Sequence, residues 1–205
     1  MKVFYCRNFK KENEYLMDKY TEMSLTEERR KRMNLIKDRT KRDDFLMAEY
    51  ITLELLEKEY GFDTPKILGK AGEKPEVVNG QCYFNRSYAG ENMIVAFDIN
   101  GPIGIDGEAI LPMDNQVMEF FFTSEEREYV RNCDDENIAF TKIWTRKESY
   151  MKYKGEGLKF QFNLFNTLAD DVNIKTFIID NTVISVTGKE MAMEEIVCLE
   201  KRSYE

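Results

Sequence analysis

The stretch Gly104-Ile105-Asp106-Gly107-Glu108 decides how the rest of the chain reads. Ile103 to Glu108 has strand character, and residues two apart on a strand project from one face, about 7 Å apart along the chain. Asp106 and Glu108 therefore point the same way, and their different lengths let both reach one ion. Two carboxylates on one face repel each other unless a cation lies between them. The competing reading is an exposed strand face with ordinary acids, and this segment alone does not separate the two.

Working outward, Asn100-Gly101-Pro102 is a strong turn that joins this strand to another at Met93 to Asp98, and the two are expected to pair antiparallel. Cys82 to Asn85 is a third strand, reached through a turn-rich run with Gly72, Pro75 and the hairpin-favouring pair Asn79-Gly80. Further upstream, Lys2 to Tyr5 reads as a short strand. Ser24-Leu25-Thr26-Glu27 resembles a capping box with Ser24 as N-cap, opening a charged helix to about Ile36. Asp43 to Tyr60 carries Phe45, Leu46, Ala48, Ile51, Leu53, Leu55 and Leu56, enough apolar positions for a buried helix, and Gly61 ends it.

Downstream, a short helix is expected over Asn115 to Phe121. Thr123-Ser124-Glu125-Glu126 resembles a second capping box and starts a helix to about Asn132. Glu136 to Lys154 forms a long helix stopped by Gly155 and Gly157, and strands follow at Ile174 to Ile179, Val183 to Thr187 and Glu195 to Glu200. The pattern is α+β: two half-domains, 1–101 and 102–205, each with helices packed on a small, mainly antiparallel sheet; pseudo-two-fold symmetry between them is expected, although the sequence itself holds no repeat that proves a duplication.

Composition narrows the chemistry. Hydrophobic residues at 42% and charged residues at 33% suit a folded, water-soluble protein. No apolar run approaches the ~20 residues of a membrane span, and the start, Met1 to Phe9, is too short and polar for a secretory signal. Cys6, Cys82, Cys133 and Cys198 lie far apart, against a zinc site or a disulfide framework, so a reducing cytoplasm is the expected compartment. Histidine is absent, which excludes Ser-His-Asp and Cys-His catalysis. Carboxylates, lysines, tyrosines or a hard metal ion must run any reaction.

The net charge of −8 is uneven: residues 1–101 hold 18 basic and 18 acidic side chains, residues 102–205 hold 12 and 20. Within the neutral half, Arg29 to Arg42 contains eight basic residues against Asp38 alone. This run is either a solvated helix face or a patch for phosphate or an acidic partner protein. Nucleic acid is a poor fit, because the rest of the chain would repel it.

The second chemical segment is Trp144-Thr145-Arg146-Lys147-Glu148-Ser149, continuing to Lys152 and Gly155-Glu156-Gly157-Leu158. Glu148 and Lys152 are four apart on the long helix and share a face. Alone they are a surface ion pair or part of a site.

Together the two segments resemble the signature of the Sfp-type phosphopantetheinyl transferases, with Gly-Ile-Asp-x-Glu on a strand and Trp-x-x-Lys-Glu-Ser plus a further Lys on a helix. Supporting matches are Glu73-Lys74-Pro75, Phe84-Asn85-Arg86-Ser87 and Phe121-Phe122-Thr123-Ser124-Glu125-Glu126. The resemblance implies an enzyme that moves the 4′-phosphopantetheine arm of coenzyme A onto a serine of an apo carrier protein. It implies a Mg²⁺ site of Asp106, Glu108 and Glu148, with Glu148 taking the serine proton and Lys152 contacting the phosphates. Lys74, Ser87, Tyr88, Lys147 and Arg42 are the further positions it assigns to coenzyme A. A monomer, acting on neither nucleic acid nor membrane, is expected. Tyr88 replaces the family's usual His, Asp44 stands near a usual Arg, and Gly107 replaces Ile or Val, with an expected loss of packing. These departures weaken the nucleotide grip and are the evidence for the alternative, a fold relative that binds coenzyme A or a carrier without transfer, while the metal triad and Lys152 argue for the enzyme.

Overall fold

The computed structural model describes residues 1–9, 25–78, 82–155, 162–189 and 195–199. The Ser24 cap, the Asn79-Gly80 turn and the Glu156-Gly157-Leu158 stretch lie outside these residues. Nine strands are described: β1 Lys2–Cys6, β2 Ile67–Leu68, β3 Glu76–Val77, β4 Tyr83–Ala89, β5 Asn92–Asp98, β6 Ile103–Ala109, β7 Ile174–Ile179, β8 Thr182–Gly188 and β9 Glu195–Leu199. Five helices accompany them: α1 Glu27–Asn34, α2 Arg39–Tyr60, α3 Asn115–Phe121, α4 Ser124–Arg131 and α5 Glu136–Lys154. No helix among the described residues is long and apolar enough to cross a membrane.

The helices start and stop where local chemistry dictates. Asp38 accepts from the Lys41 amide and opens α2 four residues before the expected Asp43, while Gly61 closes it at φ 68°. Asp135 caps α5 through the Ile138 amide, and Gly155 ends it at φ 72°. The capping box at α4 is complete, with Thr123 and Glu126 bonding each other's amides. In α1 the N-cap is Thr26, whose hydroxyl donates to the Ile67 carbonyl rather than accepting from the helix.

Two sheets form the centre. The first has the order β4-β5-β1-β9 and the second β6-β8-β7, with β2 and β3 a separate short pair. All pairings are antiparallel except β1 with β9. The first sheet buries both faces. Phe4, Phe84, Val95 and Phe97 pack with Met47, Ile51 and Leu55 of α2. On the other face Val3, Tyr5, Ile94 and Ala96 meet Ile103, Ile105, Ile184 and Val186 of the second sheet. Helices α3, α4 and α5 share a third core around Phe122, Phe140 and Ile143. Each fully buried residue of this kind stabilises the fold by about 1.5–3 kcal/mol.

Two expectations are corrected. Strands β5 and β6 do not pair: β6 bonds to β8, from Ile103 with Gly188 to Ala109 with Thr182. The turn after Asp98 instead lets the apolar face of β6 stack on β5, where Ile103 and Ile105 are fully buried. Strand β9 does not complete the second sheet. It returns to the first and lies parallel to β1, with Tyr5 opposite Cys198.

The crossing of β6 over α5 positions everything that follows. A Cβ on Gly104 would fall inside the Ser149 carbonyl oxygen and the Tyr153 amide nitrogen, so strand and helix backbones touch there. At Gly107 an added Cβ would clash with the terminal methyl of Ile94 and lie in ordinary contact with Ile184. Ile94, fully buried, fills the space that a larger side chain would take, so the expected packing loss is absent. Gly104→Ala is expected to cost about 3 kcal/mol, the upper range for overpacking, because only backbone can yield. Gly107→Ala should cost under about 1.5 kcal/mol, because Ile94 can turn aside. Urea unfolding of both variants checks this ordering.

Candidate active site

Strand alternation on β6 sends Ile103 and Ile105 into the core between the sheets and Gly104 and Asp106 toward α5. Asp106 is 4% exposed. Its Oδ1 accepts from Lys152 Nζ at 2.6 Å and from Ser87 Oγ at 2.8 Å, and Lys152 also donates to Ser87 at 3.1 Å. Its Oδ2 is buried without a hydrogen-bond partner among the described residues. An orphaned carboxylate oxygen is costly in a protein interior.

Glu108 and Glu148 lie within the field of Asp106 and Lys152. Burial, then Asp106, raises the Glu108 carboxyl to about 7, with Lys152 pulling down and Glu148 pushing up. Burial and then Asp106 also raise Glu148, against Lys152. One ammonium thus stands against three mutually repelling carboxylates. Among the described residues no three such groups meet at the spacing of a ready-made metal cage. The donor set still fits a hard divalent cation: all ligands are oxygens, one is an unmet acceptor, and two are short of positive charge.

Lys74 reaches this centre from the first half. Its Nζ donates to the carbonyls of Ile103 at 2.7 Å and Lys152 at 2.9 Å, and burial lowers it to about 8. Tyr88, half-exposed, leans on Phe9 with centroids 5.7 Å apart, on the strand face opposite Ser87. Arg42 stays half-exposed in the first turn of α2, outside the hydrogen-bonded cluster.

Lys147 is not brought to this centre. It is fully buried, 2.7 Å from Glu126, and donates to the carbonyls of Phe162 and Phe165, both at 2.7 Å. Glu126 also accepts from the Thr123 amide and from the amide and hydroxyl of Thr167. Every donor of the ammonium is taken, so in place of a phosphate contact Lys147 pins the segment after α5 onto α4.

Three contributors were given no role by the sequence reading. Gly104 allows the crossing, and a glycine inside a strand pattern was its only signal. Asn85 accepts the Ile105 amide at 3.0 Å. Glu49, 1% exposed, is held by Arg29 at 3.0 Å and 2.5 Å and by Arg86 at 2.5 Å. Burial pushes Glu49 up, but Arg86 and Arg29 outweigh it and hold the carboxyl below its usual range. Two guanidiniums on one carboxylate leave positive charge over, and Arg32 feels it: burial, then Arg29 and Arg86, lowers its guanidinium. Arg29 therefore turns inward, and the basic run is not one solvated face.

Residues 102–191, which hold the acidic strand and the long helix, match the family model described as 4′-phosphopantetheinyl transferase superfamily. Over this stretch the chain is similar to 4′-phosphopantetheinyl transferases. Two similar relatives are the 4′-phosphopantetheinyl transferases ffp of Bacillus subtilis, 29% identical over 128 residues, and Sfp of Bacillus subtilis strain 168, 29% identical over 126. Each alignment covers 59% of this chain and 56% of the relative, so the chain matches a little over half the length of these two. A third, psf-1 of Bacillus pumilus, is 24% identical over 165 residues, 76% of this chain and 70% of the relative.

Two outcomes follow for the isolated protein. Glu108 holds its proton in the fold up to about pH 7 but loses it near the ordinary carboxylate value when unfolded. Between those values the native state binds more protons, so without divalent cations stability should fall as pH rises toward 7. Glu108→Gln should flatten that slope in urea titrations run with chelator, and an unchanged slope would contradict the assignment. Lys147→Met should cost about 3–5 kcal/mol by leaving Glu126 buried and unpaired, with part regained when Glu126→Gln is added. Urea midpoints of the single and double variants measure both.

Proposed function

We propose that this protein transfers the 4′-phosphopantetheine arm of coenzyme A to a serine of an apo carrier protein. The observation that carries the reading is the buried Oδ2 of Asp106, without a partner among the described residues, beside Glu108, Glu148 and Lys152. Asp106, Glu108 and Glu148 would hold Mg²⁺. When bound, that ion supplies positive charge against the charge that builds on the leaving diphosphate oxygen.

The chain's own groups divide the remaining work. Lys152, a quarter exposed beside Asp106, offers its ammonium to the phosphates from the rim of the site. Glu148, pushed toward a weaker acid by burial, is suited to take the serine hydroxyl proton directly or through a water it orients. The serine oxygen then bonds to the β-phosphorus, and the bond to the leaving 3′,5′-ADP oxygen breaks. Residues 1–101 serve the nucleotide, where the excess positive charge around Arg32 and Arg86, next to Tyr88, suits a phosphate. Residues 102–205 serve the metal and the reacting bond. Each central sheet carries a long helix on its outer face, and we read this as pseudo-two-fold symmetry of two half-domains. A site built within one chain suits a cytoplasmic monomer.

Mass spectrometry of an apo carrier protein incubated with this chain, coenzyme A and Mg²⁺ tests the proposal. One added phosphopantetheine arm is expected. Asp106→Ala and Glu148→Ala should each lower transfer by at least about a hundredfold, the scale of losing a charge-stabilising or proton-accepting group. Tight coenzyme A binding with no transfer would favour the non-catalytic alternative.

A further inference from the structure

Strand β6 lies at the edge of its sheet, bonded to β8 on one side only. The amides and carbonyls of its odd residues face away from β8, where an unpaired edge would leave them without partners. Side chains from the first half fill that edge. Asn85 accepts from the Ile105 amide at 3.0 Å, and Lys74 donates to the Ile103 carbonyl at 2.7 Å.

The same Lys74 ammonium donates to the Lys152 carbonyl at 2.9 Å. Lys152 lies in the last turn of α5, where carbonyls have no intrahelical partner. Met151 has its carbonyl taken by the Gly155 amide, and Lys152 has its own taken by Lys74. A cation at this end of a helix is also favoured by the helix dipole. One side chain thus binds the strand that carries Asp106 and Glu108 and the helix that carries Glu148 and Lys152. It does so beside Gly104, where the two backbones touch. The Lys152 backbone is gripped from one side while its ammonium grips Asp106 from the other.

We infer that Lys74 is a positioning residue: it clamps the acidic strand to the last turn of the helix, which sets Lys152 against Asp106. The inference rests on the transferase reading for its kinetic consequence, and on these contacts alone for its structural one. Pro75 follows immediately and restricts the backbone of Lys74, which suits a side chain that must span a fixed gap.

The experiment compares wild type, Lys74→Met and Lys74→Arg as full chains. In the unliganded proteins, amide hydrogen exchange should quicken in Lys74→Met over the end of α5 and the start of β6, with α2 unchanged. Lys74→Arg, which keeps a charged multiple donor, should restore most of the protection. In transfer assays with coenzyme A, Mg²⁺ and apo carrier, kcat of Lys74→Met should fall about 10- to 100-fold, the scale of an ångström-sized misplacement. KM for coenzyme A should stay within about threefold, since the clamp touches protein carbonyls and not the ligand. A raised KM with unchanged kcat and unchanged exchange would overturn the clamp and make Lys74 a ligand contact. If Lys74→Met fails to fold, Lys74→Gln decides: its amide is one atom shorter and cannot hold both carbonyls, so quickened exchange at the end of α5 and the start of β6 supports the clamp and unchanged exchange overturns it. Wild type that transfers nothing would remove the transferase reading, while the exchange comparison would still judge the clamp.

Discussion

Backbone contact between β6 and α5 at Gly104 is the constraint on which the site depends. No side chain fits between Gly104 and the Ser149 carbonyl, so the strand lies directly on the helix. Two residues along β6 comes Asp106, and three residues along α5 from Ser149 comes Lys152, and at this separation they bond at 2.6 Å. A strand and helix packed at ordinary distance would hold the same residues apart. The hydroxyl pairs Thr145 with Ser185 and Ser149 with Thr187, each 2.8 Å, fix the same helix to β8 and so set its rotation. Buried hydroxyls paired in this way tolerate little sliding, because each would lose a partner.

The electrostatics follow from that geometry. Three carboxylates gather where water is partly excluded, and one ammonium is too little to balance them. The imbalance appears as the raised Glu108 and Glu148 and the unmet oxygen of Asp106. In the first half the sign is reversed: Glu49 is shared by Arg29 and Arg86, leaving positive charge beside Arg32. A ligand with a diphosphate and a further phosphate, together with a divalent cation, complements both imbalances at once. The two clusters are carried by strands and helices on either side of the core that the two sheets share.

Much of this was legible in the sequence because the signals were local. Thr123 with Glu126, Gly61 and Gly155 act within one turn, and they mark the helix ends that the structure shows. The strand itself was legible from alternation, whereas its acids could be told from an exposed face only together with the segment around Glu148. Partner choice was not: β5 and β6 are both buried on both sides, and closeness in sequence suggested a hairpin that face-to-face packing overrides. The return of β9 to β1 spans nearly the whole chain, beyond any local pattern. Lys147 was separable from the site in principle. One residue on a helix turns 100°, so it could not share the face of Glu148 and Lys152. What hid it was that its partner, Glu126, was read only as a helix cap. The first half kept its secrets because Arg29 and Arg86 look like surface charges until Glu49 is found between them.

Asp106, Glu108 and Glu148 are proposed to serve one divalent cation at the seam of the two halves. Anomalous diffraction from a crystal soaked with coenzyme A and Mn²⁺ tests it most directly. A single strong peak is expected, ligated by the free oxygen of Asp106, with Glu108 and Glu148 drawn to it and the coenzyme's diphosphate alongside. Bound coenzyme A with no peak there, or with manganese held by other residues, would contradict it.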